Sequence, residues 1–203
     1  MCSSDLLVFP PAAWFANPQL QGPTPLAVTA DGEVVGHGAL WRTCHAGIGD
    51  RCVMAPKSAV DYKFFLNGSV LTAEGSMVRV GKITMGTGHA DKTWGYVPAA
   101  DHYDNTGTTI AITAAGEDRF GIWFHGAVVP GATDSQIQEL RRSPISGDWR
   151  RINGNLELVA ALAVNTPGFP IVSVTASGEI DSLCAAGVLL EDGSMVADAT
   201  VHE

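Results

Sequence analysis

The chain is a succession of short apolar segments, each bounded by residues that favour turns. The segments are rich in Val, Ile, Thr and aromatic side chains, a composition typical of β-strands. The 23 glycines and 11 prolines are spread along the whole chain and separate these segments. Many short strands with frequent turns favour a barrel or a sandwich over a doubly wound sheet. The predicted strands are 24–29, 33–41, 69–72, 76–84, 107–114, 120–129, 156–164, 171–175 and 186–190.

Two segments have the periodicity of helices. In 133–142, Thr133 and Gln136 form a capping-box pair, and Pro144 prevents the helix from continuing. In 57–67, apolar residues recur at helical spacing before a glycine that favours a helix end. We expect these helices to lie at the periphery of the strands.

Length and composition predict one main domain. The 203 residues are enough for a single hydrophobic core, and 46% hydrophobic with 16% charged residues is a globular composition. Residues 7–56 are richer in proline and aromatic residues, so we predict an arm packed on a barrel formed by 57–203. Residues 1–6, MCSSDL, resemble translated adapter sequence of metagenomic reading frames, and we interpret them as non-native. We expect the C-terminus to be truncated as well.

Charge, hydropathy and cysteine content argue against several classes of protein. The net charge of −9 and the pI near 5.0 disfavour a nucleic acid partner, because phosphate binding needs clustered Lys and Arg. No apolar run approaches the roughly 20 residues needed to span a bilayer, and the N-terminus has no pattern of a secretory signal. Four scattered cysteines do not predict a disulfide scaffold, which favours a reducing, cytoplasmic setting.

The segment after the second predicted helix holds the first candidate for chemistry. Ser146 lies there in a Ser-Gly turn before an apolar strand. A serine hydroxyl attacks only when a base takes its proton and donors stabilise the oxyanion. Gly147 would leave a backbone N–H open toward the reacting carbonyl. The alternative is an ordinary turn in which Asp148 acts as a cap.

Two further residues complete a His…Ser…Glu order along the chain. His102, in a polar segment before a strand, is the candidate general base, because an imidazole titrates near working pH. Glu157, the one acid in an apolar strand, is the candidate that orients the imidazole. The alternatives are a solvated loop histidine and an exposed strand end. His89, in a glycine-rich loop, is the rival base.

Residues with metal-binding chemistry occur in the N-terminal part. His37, Cys44, His45 and Cys52 could bind zinc, but their spacing does not match the common paired-ligand patterns. We therefore expect no metal and no cofactor. His125, which lies inside a predicted strand, is interpreted as structural.

The segments from 86 to 170 follow each other in a distinctive order. They are His102 before strand 107–114, an acidic turn at 116–118, strand 120–129, helix 133–142, Ser146 with Trp149, and Glu157. This order resembles that of the prohead, or capsid maturation, proteases of tailed bacteriophages. The segments GHA, HYDNTG, SGDWR and LELVAALAVN are especially similar to those of actinobacterial phage members.

The resemblance implies both a fold and an activity. The implied fold is a β-rich α+β structure, mainly a closed antiparallel barrel like that of the herpesvirus assemblins, with a few peripheral helices. The implied activity is that of a serine endopeptidase with Ser146 as nucleophile, His102 as base and Glu157 as orienting acid. It would process the phage major capsid and scaffold proteins inside the assembling prohead in the host cytoplasm. A homo-oligomer is compatible with this role, whereas a nucleic acid, a membrane or a cofactor is not implied.

The serine context departs from that of the family and leaves a second function open. Family members carry Ser-Ile/Val-Gly-Phe, whereas this chain carries Ser-Gly-Asp-Trp, and assemblins use a second histidine in place of the acid. The alternative is a non-catalytic scaffold or shell-binding protein of the phage head with the same fold. A secreted hydrolase unrelated to phage is a third option, which the missing signal disfavours.

Overall fold

The computed structural model describes residues 9–174, 180–184, 187–189 and 195–197. The segment interpreted as non-native, 1–6, lies outside the described residues. Most of the predicted strands are present, with ends shifted by a few residues. The strands are β1 (Ala27–Val28), β2 (Glu33–Leu40), β3 (Gly68–Leu71), β4 (Met77–Met85), β5 (Thr108–Glu117), β6 (Gly121–Val128), β7 (Ile145–Ile152), β8 (Asn155–Ala163), β9 (Ile171–Val174), β10 (Ile180–Cys184), β11 (Gly187–Leu189) and β12 (Met195–Ala197).

Eight of these strands form one curled, mixed sheet. Its order is β1-β2-β6-β5-β4-β8-β7, and β3 pairs with β4 beside this path. Neighbours are antiparallel except β4 and β8, which run parallel with Ile83 opposite Ala161. Two separate hairpins, β9 with β10 and β11 with β12, account for the other described strands.

The sheet curls into a half-barrel, and the structure is β-rich with a few helices, as predicted. It differs from a purely antiparallel closed barrel in two respects. The first is the parallel pair β4–β8, which the chain reaches by crossing over through β5, β6 and β7. The second is at the ends of the sheet: β7 lies in contact with β2, but among the described strands no ladder joins them.

The main core lies on the concave side of the sheet. Phe65 and Phe124 meet there edge to face, with ring centroids 5.5 Å apart. Gly81 and Gly38 lie directly beneath these two rings, where any added Cβ would collide with an aromatic carbon. The remaining large side chains that are fully buried include Ile83, Ile110, Ile122, Leu140, Leu158 and Leu162.

The segment predicted as an N-terminal arm is partly a component of the sheet. β1 and β2 come from 7–56, and β2 pairs with β6 along most of its length. The arm prediction is therefore corrected for these strands, whose apolar positions face the core. The preceding residues do pack against the outside of the sheet: Phe15 is buried beside Trp123, and the carbonyl of Ala16 accepts a hydrogen bond from His125 Nδ1 at 2.8 Å.

In the part of the chain that the structure describes, a short 3-10 helix (Ala12–Phe15) and two α-helices flank the sheet, and only one of the α-helices was predicted. The predicted helix 133–142 is confirmed as α2 (Asp134–Arg142), with Thr133 and Gln136 forming a reciprocal capping box. The other, α1 (Tyr96–Thr106), contains His102, so this histidine lies on a helix and not in a loop. The helix predicted at 57–67 is wrong, because this segment forms turns in which Asp61 and Tyr62 have positive φ.

Candidate active site

Ser146 is the second residue of β7 and not part of a turn. α2 ends at Arg142, Pro144 excludes further helix, and the strand begins at once with Ile145. The serine is 7% exposed. Its hydroxyl is thus held on a strand of the sheet, a more rigid support than the predicted loop.

The imidazole next to Ser146 is that of His89. Its Nε2 lies 3.0 Å from Ser146 Oγ, within hydrogen-bond distance. His89 follows β4 in the glycine-rich loop at 86–90, and the β4–β8 pairing brings this loop to the start of β7. With its proton on Nδ1, the ring can accept the serine proton at Nε2, which is the geometry of a general base.

A buried carboxylate lies behind this imidazole. Asp148 Oδ2 is 3.8 Å from His89 Nδ1, an ion-pair distance that is longer than a hydrogen bond. Asp148 is two residues beyond Ser146 on the same strand, and side chains at i and i+2 of a strand lie on one face. Ser146, His89 and Asp148 therefore line up as hydroxyl, imidazole and carboxylate.

Asp148 is held by two other buried side chains. Arg150 contacts both carboxylate oxygens, with Nε 2.6 Å from Oδ1 and Nη2 2.6 Å from Oδ2. The hydroxyl of Tyr103 donates a short hydrogen bond to Oδ2. Burial alone would raise the pKa of Asp148, but the nearby His89 imidazole and the hydrogen bonds from Arg150 and Tyr103 outweigh burial and hold the pKa below its ordinary value. The carboxylate is thus fixed in its charged form.

Arg150 also fixes the loop that follows His89. Its guanidinium donates to the carbonyl oxygens of Ala90 (3.0 Å), Asp91 (2.7 Å) and Trp94 (2.8 Å). The hydrogen bonds to Asp148 are the main cause that raises the pKa of Arg150, so the guanidinium remains charged. One cation therefore positions both the carboxylate and the loop that carries the imidazole.

The structure does not bring His102 to Ser146. Its Nε2 lies 2.8 Å from the carbonyl oxygen of Gly88 and 3.3 Å from Thr87 Oγ1. His102 therefore contacts the loop that carries His89, and the hydrogen bond predicted for it is made by His89. The sequence left these two histidines as rivals, and the sheet topology places His89, and not His102, beside Ser146.

Glu157 also lies apart from Ser146, in a structural cluster. It is the third residue of β8 and is 2% exposed. Its carboxylate accepts hydrogen bonds from Ser58 Oγ (2.5 Å), the Ala59 N–H (2.9 Å) and Asn155 Nδ2 (2.7 Å). Burial alone would raise its pKa, but these hydrogen bonds outweigh burial and lower it. Glu157 thus anchors the turn segment that was predicted as a helix.

Backbone N–H groups are available beside the hydroxyl. The N–H of Gly168 points at Ser146 Oγ with an N–O distance of 3.4 Å. The ring of Trp149 packs on Gly147 where a Cβ would lie, so a larger residue would collide with the ring. The candidate oxyanion donor seen here is therefore Gly168, from a loop that the sequence did not single out.

Ser146 and His89 line a cleft of about 640 Å³. The opposite wall is the loop between Cys44 and Cys52, which are joined by a disulfide. This loop is fastened to the segment that holds Gly168, since the Ala46 N–H donates to the Gly168 carbonyl at 2.8 Å. The cleft has the size of a typical ligand site.

The disulfide revises the interpretation of the cysteines. Cys44 and Cys52 are bonded to each other, so they do not act as zinc ligands in this structure. Among the residues that the structure describes, no group of three or more His, Cys, Asp or Glu side chains could hold a metal ion. Within the same residues, no helix is both long enough and apolar enough to cross a membrane.

Comparison with known proteins adds no relative to this picture. No family model, no curated protein and no solved structure matches the chain.

Proposed function

We propose that this protein is a serine endopeptidase that processes scaffold and capsid proteins during phage head maturation. Ser146 is the nucleophile, His89 is the general base and Asp148 orients the imidazole. The observation that carries this proposal is the 3.0 Å contact between Ser146 Oγ and His89 Nε2 at the edge of a cleft.

The chemistry follows the order of the three side chains. His89 Nε2 takes the proton from Ser146 Oγ as the oxygen attacks the peptide carbonyl. The resulting imidazolium is stabilised by the charged carboxylate of Asp148. His89 then returns the proton to the leaving amine, and an acyl group stays on Ser146. Water, deprotonated by His89, hydrolyses this ester and restores the hydroxyl.

Backbone groups from the cleft wall complete the site. The tetrahedral intermediate carries its negative charge on the former carbonyl oxygen, which must lie near Ser146 Oγ. The N–H of Gly168 is directed at this region, and we assign it the role of oxyanion donor. Its position depends on the hydrogen bond between Gly168 and Ala46.

The resemblance to phage prohead proteases supports the biological context. Two of its most similar segments, GHA and SGDWR, contain His89, Ser146 and Asp148. The closed assemblin-like barrel is part of the same proposal, and the contact between β7 and β2 is the place where such a barrel would close. Substrates would then be segments of the capsid and scaffold proteins of the same phage.

One observation favours the alternative, a non-catalytic head protein. Asp148 is 3.8 Å from the imidazole and its oxygens already accept hydrogen bonds from Arg150 and Tyr103. A carboxylate engaged in this way could have become purely structural. Contacts in unliganded sites are often long, however, and tighten when substrate binds.

Labelling with a fluorophosphonate separates the two functions. The folded wild-type protein should be labelled at Ser146, and Ser146→Ala should lose the label and the cleavage of capsid precursor while retaining its circular dichroism spectrum. Ser143→Ala, which removes a hydroxyl at the end of α2 that donates to the carbonyl of Glu139, is the matched control and should label normally. A folded wild-type protein that takes no label would support the non-catalytic function.

A further inference from the structure

The wall of the cleft beside Ser146 is apolar. The catalytic groups lie on one side, and most of the remaining lining is aliphatic or aromatic, with His45, Lys92 and Thr166 as its polar members. The larger apolar side chains are Ile48, Val53, Met54, Trp149, Leu156 and Phe169. The site thus combines a polar reactive edge with a surface suited to an apolar group.

The aromatic part of this wall is fixed close to the nucleophile. Trp149 is three residues from Ser146 on the same strand, and its ring covers Gly147. The ring meets Phe169 edge to face, with centroids 5.6 Å apart. Since Phe169 also follows Gly168, both rings are tied to residues that flank the reacting atoms. An apolar group held by them lies next to the scissile bond.

Met54 lies at this wall, and most of its side chain is not covered by neighbouring residues. It is 57% exposed, one of the few large apolar side chains in the described residues with that much accessible surface. A thioether side chain is flexible and adapts to apolar groups of different shape. Met54 is continuous with the other apolar residues of the lining, and contiguous apolar surface in a groove is typical of a ligand contact.

The charges of the cleft do not oppose an apolar occupant. Asp148 and Arg150 neutralise each other and are buried behind the surface. Lys92 is exposed, and the imidazole of His45 packs edge to face on Phe169 at the same wall. A charged substrate side chain placed against the apolar surface of Met54 and the two rings would lose hydration there, which is unfavourable.

We propose that the cleft selects peptide segments with a large apolar side chain, such as Leu, Met or Phe, directly beside the scissile bond. Met54, Trp149 and Phe169 form the subsite that receives it. This inference rests on the proposed peptidase activity and specifies its substrate class. The volume of about 640 Å³ exceeds one side chain, so neighbouring residues of the peptide enter the cleft as well.

Charge placed at Met54 tests the subsite. Wild-type protein is incubated with a peptide library and the cleavage sites are read by mass spectrometry. Cleavage should occur beside large apolar residues. Met54→Glu should lower kcat/KM for the best apolar peptide by about tenfold or more, since pocket contacts of this kind are worth 10–200-fold. It should also shift cleavage toward Lys and Arg, whereas Met54→Lys should shift it toward Asp and Glu.

Met77→Glu is the matched control, because Met77 is 62% exposed and does not line the cleft. It should leave the cleavage pattern unchanged. Equal preferences in the wild type and both Met54 variants would overturn the subsite, as would wild-type cleavage beside charged residues. Fluorophosphonate labelling of the variants shows separately that the peptidase is intact, so that a failed subsite is distinct from a failed peptidase. Wild-type protein that neither labels nor cleaves would overturn both.

Discussion

The proposed mechanism assigns the serine proton to His89 and not to His102. We predict that His89→Ala abolishes peptide cleavage, because general base catalysis contributes about 10²–10⁴-fold. His102→Ala should retain measurable cleavage, since the His102 imidazole bonds to Gly88 and Thr87 and not to the hydroxyl. The measurement is kcat/KM for both variants on one peptide. An inactive His102 variant beside an active His89 variant would reverse the roles.

Asp148 stabilises the folded protein through its charge. We predict that Asp148→Asn lowers the free energy of unfolding at pH 7 by on the order of 3–5 kcal/mol, since it leaves the buried Arg150 without a counter-charge. The folded state lowers the pKa of Asp148, so its contribution is complete above the ordinary pKa of an aspartate, about 3.9. It is lost as the pH falls through the lower, folded value.

Urea unfolding of both proteins between pH 7 and pH 2 measures this contribution. The difference between wild type and Asp148→Asn should shrink toward the acidic end, where the wild-type carboxyl is protonated too. A difference that stays constant with pH would mean that the charge of Asp148 does not stabilise the fold.

The sequence predicted Ser146 as a candidate nucleophile, but it did not predict which side chains the fold places beside it. Ser146 was found because a serine beside a glycine after a helix suggested a reactive group. His102 was preferred to His89 because local sequence does not reveal which loop the parallel pairing of β4 and β8 brings to β7. Asp148 was not a candidate for the site, because the segment was predicted as a turn; on a strand, its i+2 relation to Ser146 places both side chains on one face.

The capping box of α2 makes a local contribution that can be measured. Thr133 Oγ1 accepts from the Gln136 N–H at 3.2 Å, and Gln136 Oε1 accepts from the Thr133 N–H at 2.9 Å. Thr133→Ala should lower the free energy of unfolding by about 1 kcal/mol. Ser135→Ala, an exposed position in the same turn, should change it little. Equal effects of the two substitutions in denaturant titrations would contradict a capping role.

The pattern of apolar positions predicted strands correctly where the buried side chains are apolar. It missed a strand whose buried side chains are polar. β7 contains Ser146, Asp148 and Arg150, all buried, so it lacks the alternation that marks a strand. The strand ends before Asn153-Gly154, whose positive φ angles form the tight turn to β8. The helix prediction for 57–67 was wrong for a different reason. This segment has helical periodicity, but Glu157 binds its backbone and holds it in turns.

Phe65 joins distant parts of the molecule. It comes from the turn segment before β3, is 2% exposed, and packs on Gly81 of β4 and on Phe124 of β6. Phe65→Ala should lower the free energy of unfolding by about 3–5 kcal/mol through the cavity that it leaves. Phe64→Ala, its half-buried neighbour, is the control and should have a smaller effect in urea titrations. Similar losses for both would mean that this contact does not organise the core.

The parallel pairing of β4 with β8 has a consequence for biosynthesis. His89 follows β4 directly, whereas Ser146 is 57 residues later and is fixed in place by β8. His89 is therefore synthesised well before Ser146. The two side chains can come into contact only after β8 has been synthesised and has paired with β4. The nascent polypeptide would have no assembled hydrolytic centre during translation, which would protect it and its neighbours from premature cutting.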